Sequence, residues 1–370
     1  MKTKTLCLLL TSLAILSSCK DKSTKNNSPE DYKVVLNLND REVRADSIDS
    51  FIRQQMDLMK IPGLSFAIIN NGRIAYHNVI GHTDNNSLKP VTDLTLFEGA
   101  STSKALFAYM TMFLVEEGKL DLDTPLAAYL DPAHHANYNF DERYDQVTAR
   151  MVLSHTTGFP NWRGDGNLYI GFEPGTDFSY SGEGYQYLVK ALESILDTDY
   201  KGLEEFYQKK VAVPLGMKYT KFVQDEYNLA HKAAPHKEGI KLPLNHWTAR
   251  EFNAASAIHT DAIDFSKWVI ALLENKGLSE ESYDLLFTDQ ITVAEAPTLL
   301  SEEGAIAWTL GFAKYNIDNH VVYGHEGNND GFNCLFLFDK NKKWGMIQFN
   351  NAHEVYDFGF NLFRYINQNN

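Results

Sequence analysis

Two β-hairpin signals stand at opposite ends of the chain, and together they restrict the fold more than any other feature. Leu64 to Ile69 and Arg73 to Ile80 flank Asn70-Asn71-Gly72. Asparagine followed by glycine between apolar runs favours a tight turn with positive φ. Near the other end, Asn333 to Phe338 and Trp344 to Phe349 flank Asp339-Lys340-Asn341-Lys342. Ser47 to Lys60 carries a helical stripe of Ile48, Phe51, Ile52, Met56 and Met59, and Val355 to Ile366 carries a second. Asp46 or Ser47 is placed to cap the first helix, and Pro62-Gly63 to end it. The middle reads as helices over Lys104 to Glu117, Gly184 to Leu196, Leu203 to Val211, Asp261 to Glu274 and Ser279 to Phe287. Sheet at both ends and helices between predict an α/β (α+β) fold: an antiparallel sheet flanked by N- and C-terminal helices, with an inserted all-helical domain. The expected division is 41–95 plus 300–370 for the α/β domain and 96–299 for the mainly helical one.

The first residues are of another kind. Lys2 and Lys4 precede an apolar run, Leu6 to Leu16, too short to span a bilayer. Small residues then lead to Cys19, in Leu16-Ser17-Ser18-Cys19. This predicts a signal peptide over 1–18, lipid attachment at Cys19, and a polar anchor and tether over 19–40. The expected location is a bacterial membrane, lipid-anchored, on the periplasmic side or the cell surface. The net charge is −14, and losing residues 1–18 removes two lysines and leaves −16. Such acidity argues against nucleic acid as a partner. Cys7, Cys19 and Cys334 make no disulfide framework; Cys334 lies in an apolar strand-like run and reads as a buried thiol.

Several catalytic signatures are missing: no Gly-x-Ser-x-Gly elbow, no His-Glu-x-x-His and no phosphate loop. His134-His135 are adjacent, which suits a loop better than a metal site. What stands out is Ser101-Thr102-Ser103-Lys104, a Ser-x-x-Lys preceding the apolar helix Leu106 to Val115, with Gly118 placed to end it. A second match, Ser17 to Lys20, falls in the signal region. A serine at a helix start sits at the positive end of the dipole, and a lysine one turn on shares its side of the helix. Burial would lower that lysine's pKa and make it a usable base. The alternative is a serine cap beside a solvent-facing lysine.

Phe97 to Lys104 resembles the nucleophile motif of the serine β-lactamase and penicillin-binding-protein family, nearest the class C β-lactamases and their esterase and D-peptidase relatives. Glu116 to Asp123, Leu153 to Pro160, Phe172 to Gly175, Phe178 to Gly182, Pro214 to Met217 and Ala254 to Ala257 resemble further segments of that family in order. Gly324-His325-Glu326-Gly327 is similar to its third motif. The resemblance spans roughly residues 46 to 368. It implies a serine hydrolase forming an acyl-enzyme on an ester or amide, without a cofactor. Ser101 would be the nucleophile, with Lys104 and Tyr180 sharing the proton transfers and the formal base left open between them. His325 would hydrogen-bond Tyr180 or the substrate and make activity pH-sensitive between about 5 and 8. The oxyanion would be held by the N–H groups of Ser101 and of Asn328, which follows Gly327.

Two departures bear on substrate. The family's Tyr-x-Asn is here Tyr180-Ser181-Gly182, so an amide contact to a β-lactam or peptide side chain is lost. Glu326 in the third motif forms an acidic rim against carboxylate substrates, or points away by strand alternation. Both favour an ester, amide or aminopeptidase-type substrate. The alternatives are a D-alanyl carboxypeptidase or weak β-lactamase, and, outside catalysis, a peptidoglycan- or partner-binding lipoprotein of the same fold.

Overall fold

The computed structural model describes residues 33–131, 141–164, 168–244, 251–293, 304–317 and 319–368. The predicted signal peptide, Cys19 and the His134-His135 pair lie outside the described residues.

Among the described residues, nine strands form one antiparallel sheet: β1 (Gly63–Asn70), β2 (Arg73–Asp84), β3 (Lys89–Pro90), β4 (Ile291–Thr292), β5 (Ala305–Trp308), β6 (Ala313–Ile317), β7 (His320–Asn329), β8 (Phe332–Asp339) and β9 (Trp344–Asn350). Their spatial order is β4-β5-β6-β7-β8-β9-β1-β2-β3. The two predicted hairpins are therefore neighbours, joined where β9 pairs with β1 from Gly345↔Ile69 to Asn350↔Leu64. Asn71 and Gly72 turn the first hairpin with φ of 52° and 69°, the double positive φ that their residue types favour.

Both faces of the central strands are covered, so they read as continuous apolar runs rather than alternating ones. Leu64, Phe66, Ile68, Leu335, Leu337 and Met346 face one core with α1 (Ala45–Met59) and α7 (Tyr356–Gln368). The rings of Phe51 and Tyr365 stack there at 4.1 Å, tying the first helix to the last. Ala67, Ile69, Phe336, Phe338, Ile347 and Phe349 face the opposite core. That core is shared with α2 (Thr102–Glu116), α3 (Gly182–Leu196), α4 (Tyr200–Tyr207), α5 (Ala262–Leu273) and α6 (Glu280–Phe287). Cys334 is buried there as a free thiol.

Three expectations are corrected. Neither Asp46 nor Ser47 caps α1: Arg44 is the cap residue, without a side-chain cap bond, and the Asp46 carboxylate pairs with the Arg44 guanidinium instead. The stretch assigned to the tether is folded at its end. Val34–Leu36 forms a strand against Glu42–Arg44, and Val35 and Leu38 are buried in the core. The sheet also starts before residue 300, because Ile291 and Thr292 pair with Trp308 and Ala307.

Candidate active site

The site forms where the start of α2, the free edge of β7 and two loops meet. Gly99 donates to the Ile258 carbonyl at 2.7 Å, which fixes the chain entering α2. Ala100 takes φ of +42°, costly for a residue with a Cβ, and this bend delivers Ser101 to the helix start. Ser101 has helical backbone angles and makes no side-chain cap bond, so its hydroxyl is not consumed by the helix. Ser103 is fully buried; its hydroxyl bonds to the Ala100 carbonyl and accepts from Ile258 N–H at 3.1 Å. The segment 253–258 is thereby locked against the start of α2.

Lys104 lies one turn into α2 and is 1% exposed. Its Nζ sits 3.2 Å from Ser101 Oγ and 2.8 Å from the Ala255 carbonyl. It also lies 4.7 Å from the centre of the Tyr180 ring. Burial, with no carboxylate against it among the described residues, lowers the Lys104 pKa to about 7. The reading of a capping serine beside a solvent-facing lysine is thereby excluded.

Tyr180 precedes α3, whose cap residue Ser181 accepts from Gly184 N–H. Burial pushes the Tyr180 phenol well above its ordinary pKa; a hydrogen bond with Ser101 opposes this and the Glu326 charge adds to it. His155 holds the ring in place. It is fully buried, packs tilted against Tyr180 with centroids 4.3 Å apart, and accepts from Ser181 N–H at Nδ1. His155 itself has φ of +58° and packs edge-on against Trp308.

His325 sits on β7 beyond the last β6 partner, since the β6–β7 pairing ends at Gly324. Its ring lies 6.0 Å from that of Tyr180, and its Nδ1–H donates to the Glu326 carbonyl. That bond leaves Nε2 as an acceptor, buried and without a partner among the described residues. Burial, then repulsion from Lys104, lowers the His325 pKa to about 3. Of its two expected partners, Tyr180 receives no hydrogen bond from His325, and the substrate is the one left. The other expectation is corrected: His325 stays neutral from pH 5 to 8, so it is not the pH-sensitive group.

Gly327 lies against the nucleophile: a Cβ there would stand 2.9 Å from Ser101 N and 2.6 Å from Cys334 Sγ. Asn328 follows, with its side chain bonded to Glu354 N–H and facing His353. Glu326, on the alternate face from His325, is half-buried, and its charge raises the pKa of both Tyr180 and Tyr356. Ser101, Lys104, Tyr180, His325 and Gly327 are thus brought together at one place. His155, the Ala255 carbonyl and Trp162 belong to the same place and were not singled out in the sequence. His155 and Ala255 left a trace there, inside Leu153 to Pro160 and Ala254 to Ala257; Trp162 left none.

The sequence profile described as Beta-lactamase matches residues 48–366, and the chain belongs to that family. It is similar to protein flp of Staphylococcus aureus (strain COL), 23% identical over 335 residues, a match covering 84% of this chain and 63% of flp. The chain thus spans less than two thirds of that relative's length. Among solved structures it is similar to the octameric penicillin-binding protein homologue from Pyrococcus abyssi, with TM-score 0.73, 23% identity, and 88% and 77% of the two chains covered. It is also similar to EstCE1, a hydrolase with promiscuous acyltransferase activity, with TM-score 0.74, 18% identity, and 87% and 98% covered.

Proposed function

We propose that this protein is a serine hydrolase that cleaves an ester or amide through an acyl-enzyme on Ser101. The observation carrying this reading is the buried Lys104 Nζ 3.2 Å from Ser101 Oγ, with a pKa near neutrality and no carboxylate to neutralise it. A purely structural lysine gains nothing from that burial, whereas a general base needs it. Neutral Lys104 takes the serine proton as Oγ bonds to the acyl carbon. The N–H groups of Ser101 and Asn328 hold the oxyanion, each such donor typically contributing about 3 kcal/mol. Tyr180, kept protonated by burial, relays a proton to the departing group as its bond to the acyl carbon breaks. Water then cleaves the acyl-serine ester with Lys104 again as base.

The same residues favour substrates without a carboxylate on the leaving group. A neutral His325 stands where the family often has lysine, Gly182 offers no amide, and Glu326 adds negative potential. Attachment through a lipid on Cys19 is part of the proposal and rests on the sequence. The test is active-site labelling: a fluorophosphonate probe should label the wild type and not Ser101→Ala. Equal labelling of both, or of neither, would remove the nucleophile assignment. Nitrocefin turnover approaching that of a dedicated β-lactamase would overturn the substrate preference.

A further inference from the structure

Beside the nucleophile lies an open cleft of about 470 Å³, bounded by Glu98, Trp162, Asn253, Ser256, Asn329 and Asp330 together with Asn328. Asn328 follows the glycine whose Cβ would touch Ser101 N, so the cleft opens from the expected oxyanion position. It runs from Asn328 and Asn329 at the end of β7 to Asp330 just beyond it, away from His325. It therefore serves the acyl side of a substrate rather than the leaving group.

Two features mark it as a place for a polar ligand. Asn253 and Ser256 are 6% and 5% exposed. Asn253 Oδ1 accepts from Ala255 N–H, but Asn253 Nδ2 and Ser256 Oγ have no hydrogen-bond partner among the described residues. Neither atom is among the fully buried unpaired ones, so both are open to solvent at the cleft and able to bond with a polar group that enters it. The second feature is Trp162. A Cβ on Gly182 would meet its indole carbons at 2.7 to 3.0 Å, so the ring lies in the space that a side chain at that position would take. The indole is 48% exposed and offers its remaining surface to the cleft.

Charge decides what kind of polar group fits. Glu98 is satisfied by the buried Lys232 ammonium and by Asn329 Nδ2. Asp330 is exposed and makes no hydrogen bond or ion pair among the described residues. The Arg163 guanidinium beside Trp162 is turned to Glu183, at 2.6 Å. No cationic side chain lines the cleft among the described residues, while one unneutralised carboxylate and one indole do. An indole face and a carboxylate together attract a cation and reject an anion.

We infer that this cleft selects an acyl group carrying an ammonium, seated by Trp162 and Asp330, with Ser256 Oγ and Asn253 offering further hydrogen bonds. This inference rests on the serine-hydrolase reading and assigns its substrate class. The test compares p-nitrophenyl esters of 3-aminopropanoate, butanoate and succinate, each rate normalised to its spontaneous hydrolysis. The wild type should prefer the ammonium ester over butanoate at least tenfold in kcat/KM, with succinate poorest. In Asp330→Asn and in Trp162→Ala the ammonium-to-butanoate ratio should fall at least fivefold. Butanoate turnover without an ammonium preference, or a ratio unmoved by Asp330→Asn, would overturn the inference and leave the hydrolase reading standing. Binding to Ser101→Ala, followed by ligand-detected NMR with 3-aminopropanamide and butanamide, tests the cleft apart from turnover. The amine should bind more tightly, and the difference should vanish in Ser101→Ala/Asp330→Asn. Equal binding of the two amides would also overturn it.

Discussion

The backbone of Gly327 passes so close to Ser101 that a Cβ on the glycine would stand 2.9 Å from the serine nitrogen. Only glycine lets strand β7 approach the start of α2 this way, and the proposed mechanism needs this approach to bring the N–H groups of Ser101 and Asn328 to one acyl oxygen. Gly327→Ala is expected to cut kcat/KM by about 100-fold, as a misplacement of reacting groups by about 1 Å can. The same Cβ also meets Cys334 Sγ at 2.6 Å. Adding Cys334→Ala should therefore recover part of the lost thermal stability and little of the activity. Full recovery of activity in the double variant would mean that Cys334, not Ser101, sets the constraint.

His325 is expected to be a neutral acceptor at the pH of catalysis. Its Nδ1–H is committed to the Glu326 carbonyl, and burial with Lys104 nearby lowers its pKa to about 3. Nitrogen-15 shifts of the ring should report one neutral Nδ1–H tautomer, unchanged from pH 8 to pH 5. A protonation step inside that range would contradict the burial seen here.

What could be read from the sequence was what local chemistry dictates. The Asn71-Gly72 turn, the apolar strands and the helical stripes were legible because each is set within a few residues. Ser101 and Lys104 share a helix turn, so their approach follows from α-helix geometry. The non-local parts were not legible. Lys104 bonds to the Ala255 carbonyl, 151 positions away, and a backbone carbonyl leaves no mark in the sequence. The loss of an asparagine at Gly182 was visible, but not that the Trp162 ring lies against it. The charge of His325 was misjudged because histidine alone suggests titration near neutrality, and its burial between Tyr180, Trp308 and Lys104 is a tertiary fact. Strands β5 and β6 escaped because they are only four and five residues long.

The lipid-anchor reading makes a separable prediction. Radiolabelled palmitate should enter the protein in a bacterial host and fractionate with membranes. Cys19→Ser should lose both the label and the membrane association, and its released form should keep the same fluorophosphonate labelling at Ser101. Palmitate incorporation that survives Cys19→Ser would place the anchor elsewhere.

Lys104 links activity and stability through one proton. If the neutral amine is the base, kcat/KM rises with pH through about 7 and levels above it. Lys104→Met should lower kcat/KM by about 10²- to 10⁴-fold. The sign for stability follows from the same lowering. Between about 7 and the ordinary lysine value the unfolded chain binds the proton that the folded chain has released. Folded stability therefore rises with pH across that window; the cost of burying the ammonium is complete below it and gone above it. Lys104→Met removes the slope. Its stability relative to wild type should be more favourable at pH 6 than at pH 10 by roughly 3–4 kcal/mol, one pKa unit being worth about 1.4 kcal/mol. Taking the difference between two pH values cancels the fixed loss of the Ala255 and Ser101 contacts. Urea denaturation of both proteins at the two pH values measures it, and equal differences would mean that Lys104 stays charged in the folded protein.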